Sequence, residues 1–207
     1  PSPLNVVSVV QESMPDRASE PLNTTASPLT EQLTMDRILV SACLLGERVR
    51  HNGEHKQSHD SVLQRWLREG CVVPFCPEVA GGLPVPRPAA EIAEAAGGSS
   101  VLSGMGRVLD MNGRDVSAFF VAGAAQALEY TRRESIRVAV LKEGSPSCGT
   151  SFIYDGTFTS RRVPGQGVAC GARAVGWAER ADGLPRHLPA ARLAARALSR
   201  RGAGARL

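Results

Sequence analysis

Three continuous apolar runs dominate the hydrophobic pattern of the chain, and each ends in a turn that carries a cysteine. The runs are RILVSACLLG (residues 37–46), CVVPFCPE (residues 71–78) and RVAVL (residues 137–141). Continuous β-branched and aliphatic runs are typical of strands covered on both faces in a parallel sheet. Pro74 cannot donate to a strand ladder, which predicts an edge or irregular position for the second strand.

Helical patterns separate these runs. SHDSVLQRWLREG has apolar residues at helical spacing, a candidate N-cap at Ser58 or Asp60 and a stop signal at Gly70. NGRDVSAFFVAGAAQALEYTRRE predicts a long helix capped by Asp115. Between the second strand and this helix, VAGGLPVPRPAAEI is broken by Gly and Pro and predicts a loop that lines a site. The alternation of strands and helices predicts an α/β fold: an open, mostly parallel sheet with crossover helices.

The two ends of the chain differ from this middle part in composition. Residues 1–34 are rich in Ser, Pro, Thr, Asn and Gln, which predicts a flexible leader. An α/β domain is expected over residues 35–172. Residues 173–207 form an Ala/Arg-rich segment with eight arginines against Glu179 and Asp182. Such a segment is typical of a solvated helix, and attraction to RNA or an anionic surface is the alternative.

Composition narrows the class of protein. With 207 residues, of which 43% are hydrophobic and 21% charged, the chain fits an ordinary globular protein. The run AFFVAGAA is far shorter than the ~20 residues that a membrane helix needs, so no membrane association is expected. Five cysteines and no recognisable secretory signal argue against a secreted disulfide scaffold and favour reduced thiols in the cytoplasm.

The positions of three cysteines suggest a shared site. Cys43, Cys76 and Cys148 each follow one of the three predicted strands. Parallel strands present their C-terminal ends at the same edge of a sheet, where ligands bind in open α/β folds. Converging thiolates are ligands for zinc, copper(I) or an iron-sulfur cluster. The alternative is that these cysteines only fill space in the interior.

Four ordered blocks carry a resemblance to a known family. ILVSACLLG, CPEVAGGLPVPRPAAEI, NGRDVSAFFVAGA and LKEGSPSCG, within residues 38–167, resemble the bacterial thiouracil desulfurases. The resemblance implies an α/β fold and a 4Fe–4S cluster held by three motif cysteines, with one iron lacking a protein ligand. Placed on this chain, the implied ligands are Cys43, Cys76 and Cys148. Cys71 and Cys170 lie outside the motifs and are expected to be structural.

The resemblance also implies an activity, the non-redox desulfuration of a thiolated pyrimidine, such as thiouracil to uracil. An iron with an open position is a soft Lewis acid, which would bind a thiocarbonyl sulfur and make its carbon electrophilic toward water. Glu78, two residues after Cys76, is the candidate base, and its alternative role is to cap a turn. Ser145 is a candidate substrate donor or proton relay, and its alternative role is to shape the loop as an ST-turn.

Five further polar residues lie near the implied site. Ser41 is expected to hydrogen-bond a cluster sulfur. Lys142 and Glu143 are expected to pair with solvent or with each other. Arg87 and Glu91 either contact the polar edge of the pyrimidine or form an ion pair that holds the Pro-rich loop.

Two other functions stay open at this stage. The first is a desulfidase that acts on 4-thiouridine in tRNA or on its nucleosides, which the basic tail favours weakly. The second is a zinc-binding or ligand-binding α/β module without catalysis.

Overall fold

The computed structural model describes residues 6–9 and 37–177 of the chain. In chain order its elements are β1 (Val6–Val9), β2 (Ile38–Ser41), α1 (Ser61–Arg68), β3 (Val72–Phe75), α2 (Pro77–Ala80), β4 (Ala90–Ile92), α3 (Gly97–Leu102), β5 (Val108–Asp110), α4 (Ser117–Arg133), β6 (Val138–Val140), β7 (Phe152–Tyr154), β8 (Arg162–Pro164) and α5 (Val168–Trp177), with short 3-10 helices at Ala42–Leu45 and Ala93–Ala95. Most of the predicted leader and nearly all of the predicted basic segment lie outside the described residues.

The central sheet has the strand order β1-β6-β2-β3. Strands β6, β2 and β3 are parallel, whereas β1 pairs antiparallel with β6. This arrangement confirms the predicted α/β fold with an open, mostly parallel sheet. Strand β3 lies at the edge of the sheet, as Pro74 predicts.

Strand β1 differs from what composition predicts for the leader. Residues 6–9, with the sequence VVSV, form an edge strand within the segment that was expected to be flexible. The physical reason is local: three of these four residues are valines, which favour extended backbone and fit a pleated surface.

Two small hairpins were not predicted. Strands β4 and β5 pair antiparallel, and so do β7 and β8. Each of these strands has three residues, which is too short for a period-2 pattern to stand out from the surrounding loops. Strand β4 forms the last three residues of the Pro-rich segment, so the prediction of a loop is wrong for residues 90–92.

The predicted caps are correct for α1 and only approximate for α4. The Asp60 carboxylate accepts the backbone N–H of Val62 at the start of α1. In α4 the N-cap residue is Val116, not Asp115. The Asp115 carboxylate still accepts the N–H of Ser117 at 2.9 Å, so it satisfies a donor of the first turn from one position further out.

Apolar side chains cover both faces of the parallel strands. On one face, Ile38 and Val40 pack with Val138, Val140 and Trp66 of α1. On the other face the apolar cluster contains Leu39, Val73, Ile136, Ala139, Leu141, Cys148 and Cys170. Burial on both faces explains why the strands read as continuous apolar runs. None of the helices in the described part of the chain has the length and apolarity that a membrane crossing requires.

A close contact between backbones fixes α2 on α4. A Cβ atom on Gly123 would lie 1.9 Å from the carbonyl oxygen of Pro77, and one on Gly81 would lie 2.0 Å from the carbonyl oxygen of Phe119. Larger residues at these two positions would push the helices apart. The two glycines therefore set the position of α2, which carries Glu78.

Candidate active site

A cavity of about 310 Å³ opens at the C-terminal ends of β2, β3 and β6. Cys43, Cys76 and Cys148 all line it. Cys43 lies in the 3-10 helix after β2, Cys76 is the N-cap residue of α2 directly after β3, and Cys148 lies in the turn after β6. The structure thus brings together the three cysteines that the sequence placed at one edge of the sheet.

The three thiols lie close enough to influence each other's ionisation. Burial and, less strongly, the neighbouring Cys76 raise the pKa of Cys43 to about 11, while Lys142 and Arg50 act in the opposite direction. Burial also raises the pKa of Cys76 and of Cys148. Without a positive centre these thiols stay protonated at neutral pH, so any metal group that binds them must release protons.

The donor set of the cavity fits an iron-sulfur cluster. Among the side chains of residues 37–172, no three from His, Cys, Asp or Glu are arranged to hold one metal ion. A single zinc requires its sulfur ligands about 2.3 Å from a common centre. In a 4Fe–4S cluster each thiolate binds a different iron, so its sulfurs lie further apart around a larger cavity. Three cysteines that line one cavity can supply the thiolates that such a cluster binds.

Cys71 and Cys170 do not line this cavity. Cys71 packs beside Trp66 in the core and donates its S–H to the Trp66 carbonyl at 3.4 Å. Cys170 is buried in the apolar cluster beneath the sheet. Both positions agree with the structural role expected for them.

Glu78 lies in the first turn of α2 and lines the cavity. Its carboxylate accepts hydrogen bonds from two other residues that line the cavity. Its Oε2 accepts from Arg87 Nη2 at 2.6 Å and from Arg87 Nε at 3.1 Å. Its Oε1 accepts from the hydroxyl of Ser145 at 3.2 Å.

Ser145 shapes its turn, which is the alternative role considered for it, and its hydroxyl also contacts Glu78. Its Oγ accepts the N–H groups of Ser147 and Cys148, at 3.0 and 3.1 Å, which shapes the turn as an ST-motif. The Ser145 hydroxyl in turn donates a hydrogen bond to the carboxylate of Glu78. The hydroxyl thereby links the carboxylate to the backbone of a cysteine that lines the cavity.

The ion pair expected for the Pro-rich loop exists, but with a different partner. Arg87 pairs with Glu78 rather than with Glu91. The carboxylate of Glu91 instead accepts the N–H groups of Gly156 and Phe158, both at 3.0 Å, and so holds the β7–β8 loop. Glu91 is closer to Arg87 in sequence, but the fold brings α2, which carries Glu78, against the Pro-rich loop.

Ser41 lines the cavity. Its hydroxyl forms a hydrogen bond with the sulfur of Cys148, which opposes the effect of burial on the pKa of that thiol. Its Oγ also accepts the backbone N–H of Lys142 at 2.9 Å.

The structure gives Glu143 a role that the sequence reasoning missed. Its buried carboxylate accepts the N–H groups of Thr150, Ser151 and Phe152 and the hydroxyl of Thr150. It therefore braces the turn that carries Cys148, instead of pairing with solvent or with the side chain of Lys142. The sequence carried one signal for this role: Glu143 directly precedes a turn rich in Gly and Ser, and the backbone N–H groups of such a turn need an acceptor.

Comparisons with known proteins show the family to which the chain belongs. Residues 38–175 match the 2-thiouracil desulfurase family. The chain belongs to this family. It is 40% identical over 131 residues to the uncharacterised protein YbbK of Bacillus subtilis (strain 168), a match that covers 63% of this chain and 85% of YbbK.

A solved structure of a family-related protein resembles the fold. It is described as the 4Fe–4S-dependent thiouracil desulfidase TudS, with a TM-score of 0.60 and 43% sequence identity. The match covers 69% of this chain and 87% of that structure. Membership in the 2-thiouracil desulfurase family thus rests on both sequence and fold.

Proposed function

We propose that this chain is a 4Fe–4S cluster-dependent desulfurase that converts a thiolated pyrimidine, thiouracil, to uracil. The observation that carries the proposal is the convergence of Cys43, Cys76 and Cys148 on one cavity that also contains Glu78 and Ser145. The family and the solved relative described as a thiouracil desulfidase support the same chemistry. At about 310 Å³ the cavity lies at the lower end of the range of small-molecule sites.

The three cysteines would hold the cluster through one iron each. When bound, the cluster supplies an iron without a protein ligand, a soft Lewis acid suited to a thiocarbonyl sulfur. Lys142 and Arg50 lie near Cys43 and favour its ionised form. Ser41 donates to the sulfur of Cys148 and so stabilises the thiolate that the cluster requires.

Glu78 is the residue proposed to activate water. Its Oε1 is held by a single hydrogen bond from Ser145, so this oxygen has the remaining capacity to accept a proton from water. The reaction exchanges the sulfur of the C–S double bond for the oxygen of water and releases hydrogen sulfide. Atoms and charge balance without any oxidant or reductant. Ser145 holds the carboxylate beside the cysteine turn and provides a route for the proton.

A quantitative reconstitution tests the proposal. The reduced protein is loaded with iron and sulfide under anaerobic conditions, and metal content, colour and thiouracil turnover are measured on the same sample. We expect a brown protein with about four irons and four sulfides per chain that releases uracil and sulfide. A colourless protein that binds one zinc would overturn the proposal in favour of the zinc-binding module.

Single Cys→Ser variants test the ligand set. A hydroxyl is a poor ligand for an iron-sulfur centre, so replacing Cys43, Cys76 or Cys148 should sharply reduce the iron content. Cys71→Ser is the matched control because Cys71 is as buried as Cys148 but lies outside the cavity. Loss of iron in this control together with full iron in the Cys76→Ser variant would refute the assignment.

The same sample is offered 4-thiouridine, free and within tRNA, to separate the substrates. Turnover of the free base alone supports the proposal as stated. Exclusive turnover of the tRNA would replace it with the desulfidase of modified tRNA.

The proposed cluster also bears on location, because the reduced thiols that it needs are expected in a cytoplasmic protein.

A further inference from the structure

Arg87 is a buried cation that lines the cavity, and its donors are almost fully occupied by the protein. Its side chain is 5% exposed. Nη1 donates to the Pro84 carbonyl at 3.0 Å, and Nη2 donates to the Val49 carbonyl at 3.1 Å. Nε and Nη2 both donate to Glu78, as described above. Since the guanidinium has five N–H groups, at most one of them is left for a ligand.

Both bonds from Arg87 to Glu78 end on the same oxygen. They meet Oε2, at 3.1 and 2.6 Å, while Ser145 donates to Oε1. A guanidinium usually meets a carboxylate with two parallel bonds, one to each oxygen. Here it holds one oxygen and leaves the other to Ser145 and to the cavity. The two carboxylate oxygens of Glu78 are therefore not equivalent.

The guanidinium is itself fixed from two separate parts of the chain. The Val49 and Pro84 carbonyls come from the loop after β2 and from the Pro-rich loop, respectively, and the backbone N–H of Arg87 donates to the His51 carbonyl at 2.7 Å. This bracing fixes the direction from which Arg87 approaches Glu78. Arginine retains its charge in proteins. Arg87 therefore supplies a permanent positive charge beside the carboxylate of Glu78, whose side chain is only 16% exposed.

We propose that Arg87 is a positioning residue for desulfuration: it immobilises Oε2 of Glu78, so that Oε1 is presented to Ser145 and to the substrate water. The inference rests on the proposed function of Glu78. Arg87 acts through this carboxylate rather than through the pyrimidine, because four of its five N–H donors are taken by the protein. This differs from the substrate-binding role that the sequence left open for Arg87.

A positioning role and a substrate-binding role predict different kinetics. Loss of a group that orients the base lowers kcat and leaves KM nearly unchanged, whereas loss of a substrate contact raises KM. For Arg87→Met we expect kcat to fall about 10- to 100-fold, the scale of a misplaced catalytic group, with KM within about twofold. In Arg87→Lys, one cation remains beside Glu78, so part of kcat should return. A rise in KM at unchanged kcat would overturn the proposal.

A double-mutant cycle with Glu78→Gln separates positioning from simple bracing of the loop. If Arg87 works through Glu78, Arg87→Met should lower kcat less than about threefold once Glu78 is already Gln. If Arg87 only braces the loop, the two losses multiply, and the proposal fails. The cycle is repeated with Arg87→Lys, which keeps the buried charge, so that a folding defect in Arg87→Met does not decide the result.

Iron content and the thermal midpoint are measured on every variant. We expect each to keep its iron, because the side chain of Arg87 donates to Glu78 and to two backbone carbonyls and to none of the three cavity cysteines. Arg65→Met is the matched control, since Arg65 forms an exposed ion pair with Glu69 and lies outside the cavity. A loss of iron in both Arg87 variants would show a structural role and overturn the proposal. A wild-type protein with a full cluster and no turnover would instead refute the proposed function.

Discussion

Replacement of Glu143 should destabilise the turn that carries Cys148. In Glu143→Ala, three backbone N–H groups and one hydroxyl lose their acceptor. Each unsatisfied buried donor costs about 1 to 3 kcal/mol, and relaxation of the turn recovers part of this. We therefore expect the free energy of unfolding to fall by about 3 to 6 kcal/mol, a large fraction of the stability of a typical domain.

Glu143→Gln should cost less. The amide oxygen can still accept from the backbone of the turn, and what is lost is the charge that strengthens those bonds, so we expect a loss of about 1 to 3 kcal/mol. The variants are compared by urea unfolding of the apoprotein under reducing conditions. Glu69→Ala, at an exposed ion pair, is the control and should lie within about 0.5 kcal/mol of wild type.

The effect of Glu143 should depend on pH. Burial acts to raise the pKa of this carboxyl, but the hydrogen bonds from Thr150, Phe152 and Ser151 outweigh it and hold the pKa below its ordinary value of 4.5. A lowered pKa in the folded state stabilises the protein above about pH 4.5, and that contribution is lost as pH falls through the folded-state pKa. The difference between wild type and Glu143→Gln should therefore shrink below pH 4.5.

Two results would refute this reasoning about Glu143. One is a loss of less than about 1 kcal/mol in Glu143→Ala, which would mean that water or a neighbouring group satisfies the donors equally well. The other is a constant difference between wild type and Glu143→Gln from pH 7 down to the acid transition, which would mean that the carboxylate charge carries none of the stabilisation.

Three further predictions concern the site and its support. Glu78→Gln should keep the iron but lower turnover by about 10² to 10⁴, the typical contribution of a general base; unchanged turnover in a fully loaded sample would remove Glu78 as the base. Gly123→Ala places a methyl group 1.9 Å from the Pro77 carbonyl, so it should lower both the thermal midpoint and turnover, and an unchanged midpoint would contradict the contact between α2 and α4. Because the pKa of Cys43 is raised from 9.0 to about 11, the contribution of Cys43 to apoprotein stability should be constant below pH 9 and fall by about 2 to 3 kcal/mol as pH rises through 11; a Cys43→Ala variant with the same alkaline slope in urea unfolding would argue against this cause.

The parallel core of the fold could be predicted from the sequence because its signals are local. Continuous valine and isoleucine runs mark β2, β3 and β6, and the cysteines follow because parallel strands end at one edge. The β4–β5 and β7–β8 hairpins escaped prediction since their three-residue strands are stabilised by pairing with each other rather than by a pattern of their own.

The polar contacts of the site were less predictable than its cysteines. Arg87 lies closer in sequence to Glu91 than to Glu78, and only the packing of α2 on α4 brings Glu78 to it. The role of Glu143 depends on how the turn over residues 144–152 folds back on its carboxylate. Such pairings follow from tertiary structure, and no spacing rule applies to them.

The placement of the three cavity cysteines has a consequence for how the protein is made. Cys43 and Cys76 lie in the first half of the described domain, whereas Cys148 follows β6, which inserts between β1 and β2. A growing chain on the ribosome therefore exposes two thiols long before the third can join them. Because domains generally form as units during synthesis, we expect the cavity to close only after β6 has emerged. Under the proposed ligand set, delivery of the cluster is a late event that acts on an otherwise folded protein.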